Sequence, residues 1–269
     1  MRVHHLNCGS MRMPGAPLVC HVLLLETHHG LALVDTGFGS ADIADPGGRI
    51  GSYRHVTRPR LDPEETAIAQ VRGRGFDPAD VRDIVLTHFD ADHVGGLSDF
   101  PWARVHTTAD EWTAASQRGS QLERARYRPA QWTHGPKLVP HGAGGDTWRG
   151  FPSATCLTEI DDGVVLIPLP GHTRGHAAVA IDAGHRWIFH AGDAFYDQSI
   201  VTGIGREPLI LTVQEWFVAH DWARVRRNHE RLAELHRSDP EVMLVSAHDP
   251  SLLERARATS VPRNSPLPC

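Results

Sequence analysis

Residues Thr87–Gly95 read T-H-F-D-A-D-H-V-G and follow directly on the apolar run Ile84-Val85-Leu86. The stretch sets four potential metal ligands, His88, Asp90, Asp92 and His93, within six positions. A β-strand that empties into such a cluster delivers imidazoles and carboxylates to one point at a sheet edge. That donor mixture suits zinc, and also manganese or iron.

Three further segments have the same form. Pro170-Gly171-His172-Thr173-Arg174-Gly175-His176 follows the expected strand Val164–Leu169. His190-Ala191-Gly192-Asp193-Ala194-Phe195-Tyr196 closes another strand, and Ser246-Ala247-His248-Asp249 closes the last one. Four strand ends that each carry ligand residues point to one shared metal site. Asp35, in the turn Val34-Asp35-Thr36-Gly37, is expected either to support that site or only to form the turn. His176 reads as a hydrogen-bonding support, and His190 as a strand residue facing elsewhere. Asp249 reads as an orienting partner of His248 or a turn cap, and Arg174 receives no role. His4, His5, His28 and His29 are expected at the surface.

Outward from these segments, the pattern is strand-rich in two halves. Leu18–Glu26 and Leu31–Gly37 flank His28-His29-Gly30 and predict a hairpin. Residues 63–75 carry early acids and a late glycine, the marks of a short helix. Leu157–Ile160 and Gly163–Leu169 flank Asp161-Asp162-Gly163, and Ala177–Ile181 and Arg186–Ala191 flank Asp182-Ala183-Gly184, both hairpin signals. Residues 213–236 have helical spacing, and Glu241–Ser246 reads as a buried strand. The halves, each with helices outside, predict an α/β (α+β) fold of the four-layer αββα sandwich type, in one domain over residues 1–258. Residues 106–153 show no clear strand pattern. They hold Trp112, Tyr127, Trp132, Trp148 and Phe151 and are expected to form a helical, aromatic insertion near the site. Residues 259–269, with three prolines, are expected to be a loose tail.

Composition narrows the function classes. The 269 residues suffice for a large buried core, and 41% hydrophobic with 22% charged residues is ordinary for a globular protein. A formal net charge of -5 disfavours nucleic acid as a partner. The cysteines, Cys8, Cys20, Cys156 and Cys269, have no C-x-x-C spacing, which fits neither a disulfide framework nor a cysteine zinc site. The N-terminus lacks the apolar stretch of a signal peptide, and no apolar run approaches the ~18 residues of a membrane span. A cytoplasmic location is therefore expected, with no membrane partner.

The four segments together resemble the metallo-β-lactamase-fold hydrolases, whose pattern is H-x-H-x-D-H, then a distant P-G-H-T-x-G-H, a G-D and a final His. The resemblance spans roughly residues 18–250 and includes the L-V-D-T-G turn at Asp35. It implies two divalent metal ions. One would be held by His88, Asp90 and His172, the other by Asp92, His93 and His248, with Asp193 between them. Gly192-Asp193-Ala194-Phe195-Tyr196 is most similar to the acyl-homoserine lactone lactonases, in which a tyrosine three residues after the bridging aspartate is catalytic. The resemblance thus implies a small-molecule substrate, an N-acyl-homoserine lactone first. Asp193 and Asp92 would fix the metals and take up the nucleophile's proton, and the Tyr196 phenol would stabilise the oxyanion.

One position departs from the pattern: the family's second histidine is Asp90. A carboxylate there shifts preference toward manganese or iron, although zinc is the first expectation. It also raises the alternative of a diiron redox protein, as in the flavodiiron branch, whose fused flavin domain has no room in this chain. Within hydrolases the alternatives are a thioesterase of glyoxalase-II type or an enzyme acting on another lactone or amide. A metal-holding binding module without turnover is a third class. Oligomeric state is left open, a homodimer being compatible.

Overall fold

The computed structural model describes residues 1–259. Two six-stranded sheets carry the architecture. The first contains β1 (Arg2–Met13), β2 (Ala16–Thr27), β3 (Gly30–Val34), β4 (Val81–Val85), β5 (Arg104–Thr108) and β6 (Lys137–His141), side by side in that order. The second contains β7 (Asp146–Trp148), β8 (Phe151–Cys156), β9 (Val164–Pro168), β10 (Ala177–Asp182), β11 (Trp187–His190) and β12 (Val242–Val245), also in sequence order. β1, β2 and β3 pair antiparallel, and β3 through β6 pair parallel. The second sheet is antiparallel except for the β11–β12 pair.

Alternation along the strands shows why two sheets stack with helices outside. Successive side chains point to opposite faces of a sheet. Leu23, Leu25, Ala32, Val34 and Val85 of the first sheet pack against Val164, Leu166, Val179, Ile181 and Val245 of the second. Their strand neighbours Val22, Leu24, Leu31, Leu33 and Ile84 face outward onto Ala67, Val71 and Ala114 of the covering helices. On the other side, Val165, Ile167, Ala178, Ala180 and Leu244 meet Leu232, Leu235 and Leu252. Both faces of these strands are buried, so the sequence reads as continuous apolar runs rather than alternation. The four-layer αββα expectation is met.

Several local expectations shift. The hairpin arm placed at Leu157–Ile160 lies earlier, in β8, where Thr155 pairs with Leu166; residues 157–160 form the turn. The single helix expected over 213–236 is two, Leu209–Val218 and Trp222–Ser238. The break has a cause, because the His220 and Asp221 backbone N–H groups donate to His172 and Gly171 carbonyls instead of continuing a helix. β1 drew no expectation, and His5, placed at the surface, is buried on it against His21 (Nδ1 to Nε2, 2.8 Å). His28 and His29 are exposed as expected.

The largest correction concerns residues 106–153. They are not a strandless insertion, because they contribute to β5, form β6 and β7, and begin β8. Their polar residues hid the strands. Buried His106 and Thr108 are satisfied by Asp83 and the Gly175 carbonyl, contacts no local pattern reveals. The aromatics are core rather than pocket: Trp112 and Trp132 pack on Phe89, and Trp148 on Trp187 and Phe189. Cys8, Cys20 and Cys156 are free thiols. Of the tail expected to be loose, 259–269, all but Thr259 lies outside the described residues. Among the described residues no helix is long and apolar enough to cross a membrane.

Candidate metal centre

Every ligand-bearing segment leaves the carboxyl end of a strand. His88–His93 follow β4, His172 follows β9, Asp193 follows β11 and His248 follows β12. The sheets are joined at this end by backbone hydrogen bonds: Ala177 N–H donates to Thr87 O at 2.9 Å and His21 N–H to Ala247 O at 2.8 Å. Segments up to 160 residues apart therefore meet in one buried cleft between the layers.

The structure brings all seven expected ligand residues together. His88, His172 and Asp193 offer donor atoms within 4.8 Å of one another, and so do Asp92, His93 and His248. Asp193 stands between the groups: His172 Nε2 and His248 Nε2 lie 3.5 and 3.1 Å from its Oδ2, and His93 Nε2 lies 3.1 Å from its Oδ1. Asp90 Oδ2 joins the first group, 3.1 Å from His172 Nε2 and 3.4 Å from His88 Nε2.

The inward-facing nitrogens are held in a ligand-competent state. His88 Nδ1 bonds the Thr87 hydroxyl at 2.9 Å, His93 Nδ1 bonds Asp35 Oδ2 at 2.8 Å, and His248 Nδ1 bonds the Val19 carbonyl at 2.8 Å. Each contact favours the tautomer with the proton on Nδ1, so the neutral ring aims its Nε2 lone pair into the cleft. Burial opposes the charge of His93 and His248, but neighbouring carboxylates, Asp193 first, outweigh it and raise both pKa values. His88 Nε2, His93 Nε2, Asp92 Oδ2 and Asp193 Oδ1 are buried without a hydrogen-bond partner. Buried polar atoms are rarely left so, and this convergence of orphaned donors fits divalent metal ions. Burial, reinforced by His93, lowers the His88 pKa to about 4, which keeps the imidazole neutral. Burial opposes ionisation of Asp193, but the imidazoles of His248, His93, His88 and His172 outweigh it and hold the carboxyl well below its usual range.

Supporting residues fall where expected in several cases. Asp35 accepts from Thr87 N–H and Oγ1 as well as from His93, and adopts φ 58° to do so. A non-glycine residue in the left-handed region costs on the order of 1 kcal/mol, which the three acceptor contacts offset. His176 donates through Nδ1 to Leu169 O and accepts the Asp193 N–H at Nε2. That close approach excludes a side chain at Gly192, where a Cβ would sit 2.6 Å from His176 Nε2 at φ 54°. His190 donates to the His21 carbonyl, apart from the ligand groups. Asp249 caps the helix Pro250–Ala258. Arg174 pairs with Glu123.

Tyr196 is buried beside the ligands, its ring edge-on to His248 at 5.4 Å and to His172 at 6.3 Å. Burial and the Asp193 charge push its phenol pKa well above the usual value. Tyr53, which sequence reasoning missed, is partly buried in the same cluster. Burial together with Asp92, Asp90 and Asp193 raises its phenol in the same way.

Three more residues were missed because no local motif marks them. The Arg126 side chain is buried, its Nε 3.3 Å from Asp90 Oδ1, while its Nη1 donates to the His172 carbonyl at 2.7 Å and its Nη2 to the Val218 carbonyl. The family-departing carboxylate is thus matched by a buried cation: burial disfavours its charge, but Arg126 and His88 hold the Asp90 carboxyl well below the ordinary range. Glu111 accepts four hydrogen bonds, from Phe89 N–H and Tyr127 OH at Oε1 and from Thr173 Oγ1 and Gly175 N–H at Oε2. It ties the 88–93 loop to the 170–176 loop. Gln131 reaches the Ala91 carbonyl at 2.8 Å. The segment 106–153 thus reaches the site through Arg126, Glu111 and Gln131 rather than through its tryptophans.

Glu111→Ala is expected to lower unfolding free energy by about 3 kcal/mol, since it strands several buried donors. It should also weaken metal affinity, because both ligand loops lose their tie. Denaturant titration with and without metal checks this. Loss of stability with metal affinity intact would show that the loops are ordered without it.

Comparison with known proteins agrees with this geometry. Residues 15–248 match the family model of the metallo-beta-lactamase superfamily. A probable metallo-hydrolase, Rv2300c, of Mycobacterium tuberculosis is 54% identical over 97% of this chain and 84% of its own length. The N-acyl homoserine lactonase AttM of Rhizobium johnstonii is 38% identical over 82% of this chain and 74% of its own. A solved N-acyl homoserine lactone hydrolase, with N-hexanoyl-L-homoserine at its catalytic metal centre, shares the fold. Its TM-score is 0.70 at 20% identity, covering 97% of this chain and 96% of that one. With its αββα layers and its His/Asp cluster at the strand ends, the chain belongs to the metallo-beta-lactamase superfamily and is a metal-dependent hydrolase.

Proposed function

We propose that the protein opens the ring of a lactone, an N-acyl-homoserine lactone first, at a centre of two divalent metal ions. The observation that carries this reading is the pair of ligand groups about Asp193 with Tyr196 packed on His172 and His248. In this reading His88, Asp90 and His172 hold one ion, Asp92, His93 and His248 hold the other, and Asp193 joins both. When bound, such ions make a water a hydroxide-like nucleophile at neutral pH and polarise the substrate carbonyl.

The chain's own residues do the rest. Asp193 stays ionised, kept so by four imidazoles. Asp92, whose carboxyl is raised by burial with the Asp193 and Asp90 charges adding to the rise, is the acceptor for the nucleophile's proton. Tyr196 stays protonated and donates a hydrogen bond to the developing oxyanion. The relatives named as lactonases and the Tyr196 position support the lactone reading. An apolar surface supports the acyl group: the helix Leu209–Val218 packs Leu211 in the same cluster as Tyr196 while leaving Leu209, Val213, Trp216 and Phe217 exposed.

Ring opening of an acyl-homoserine lactone series by zinc-, manganese- and iron-loaded protein, followed by proton release, tests this. Turnover that depends on chain length and disappears with chelator is expected. Hydrolysis of thioesters but of no lactone would replace the lactone reading with a thioesterase. Tightly bound iron with a visible band and no hydrolysis would favour the redox alternative that Asp90 raises.

Asp90 also decides metal preference. Asp90→His, made together with Arg126→Met so that no buried cation is left unpaired, is expected to keep the site and shift it toward zinc over manganese. Competitive titration of the two metals reads this out. An unchanged preference would remove Asp90 from the ligand set.

A further inference from the structure

A second cluster lies apart from the Asp193 centre. His106 on β5, His141 at the end of β6 and Glu159 in the turn between β8 and β9 offer two imidazoles and a carboxylate within 4.8 Å of one another. The three residues come from both sheets, the β6 strand being the edge of the first.

The hydrogen bonds around His106 set its tautomer. It is fully buried, and its Nε2 bonds Asp83 Oδ1 at 3.0 Å. Asp83 is in turn clamped by Arg104 through Nε at 2.7 Å and Nη2 at 3.0 Å, so it is an ionised acceptor. The ring proton therefore sits on Nε2, and Nδ1 presents a lone pair. That nitrogen faces His141 Nε2 at 3.1 Å and Glu159 Oε1 at 3.5 Å. Two ligand atoms bound tetrahedrally to one zinc ion at ordinary bond lengths are about 3.3 Å apart. The observed separations bracket that value. A carboxylate that accepts the far ring N–H is also the usual support of a metal-binding histidine. Asp35 serves His93 in the same way, with the roles of the two ring nitrogens exchanged.

We propose that His106, His141 and Glu159 hold one divalent transition-metal ion of zinc-like preference, independent of the Asp193 centre. Glu159 is exposed, with a side-chain accessibility of 37%, so the ion has a path from solvent. Its ligands join β5 and β6 to the β8–β9 turn, so binding ties the two sheets at their edge and stabilises the fold without touching the reaction.

The test is zinc titration of the chelator-stripped full chain, comparing wild type with His141→Ala and Glu159→Gln. Wild type is expected to take one equivalent more than His141→Ala. Glu159→Gln should bind that extra ion at least about tenfold more weakly. Zinc should raise the melting temperature of wild type more than that of either variant. Because the difference between chains is counted, the result does not depend on how many ions the Asp193 centre takes. Equal stoichiometry and affinity in wild type and His141→Ala would overturn the proposal and leave a plain hydrogen bond from His141 to His106. If His141→Ala does not fold, the exposed Glu159→Gln decides, and an unchanged zinc isotherm overturns it.

Discussion

Asp193→Ala should abolish hydrolysis, lowering kcat/KM by at least about 10³-fold, while the protein stays folded. The scale follows from removing a single preorganised electrostatic contact in an active site, which alone costs about 10²–10³-fold; Asp193 faces both ligand groups at once. His172 Nε2, His248 Nε2 and His93 Nε2 all lie within 3.5 Å of its carboxylate. The fold is expected to survive because the position is anchored by its backbone, through the N–H donated to His176 Nε2. Metal content and near-ultraviolet circular dichroism should be measured beside the rate. A variant with wild-type turnover would sink the assignment of Asp193 as the shared ligand. A variant without native dichroism would show that the carboxylate is needed for folding first.

Arg126→Met should destabilise the chelator-stripped protein by about 3–5 kcal/mol. Removing one member of a buried ion pair leaves the other charge without compensation, and that penalty exceeds what the intact pair contributes. Here the stranded charge is Asp90, and the His172 and Val218 carbonyls lose a donor as well. Metal should recover a large part of the loss, because a cation at Asp90 Oδ2 replaces the missing positive charge. Arg126→Lys should fall between, since an ammonium keeps the charge but cannot bridge three acceptors with one planar fork. Denaturant midpoints with and without metal give the comparison. If Arg126→Met and wild type unfold alike without metal, the pair contributes nothing and Asp90 is held by other means.

Both results bear on how this family pattern tolerates a carboxylate where it ordinarily has a histidine. An added negative charge in a buried cluster would be costly alone. In this chain one carboxylate oxygen meets a guanidinium and the other remains for the cleft. Arg126 belongs to the short helix Gln121–Arg126, well away in sequence from the motif it completes.

How much of this was legible in the chain differs by type of residue. His88, Asp92, His93, His172, Asp193 and His248 could be read because each sits at a strand terminus within a few residues of an apolar run, and local spacing fixes that much. The layers were legible for the same reason, since strands buried on both faces leave continuous runs such as Leu23-Leu24-Leu25 and Val164-Val165-Leu166-Ile167. β5 was not, because its buried polar residues are satisfied only by partners elsewhere: His106 by Asp83, and Thr108 by Gly175.

The sequence by itself determined the fold class, the candidate ligand inventory and the departure at Asp90. Only the tertiary structure decided which polar residues stabilise that inventory: Arg126 against Asp90, Glu111 between two loops, and Asp83 behind His106. The physical reason is range. Burial patterns and turn chemistry act over a few residues and leave a periodic trace. A buried charge or tautomer is set by whichever group the packing brings within about 3 Å, and that partner leaves no mark in the local sequence.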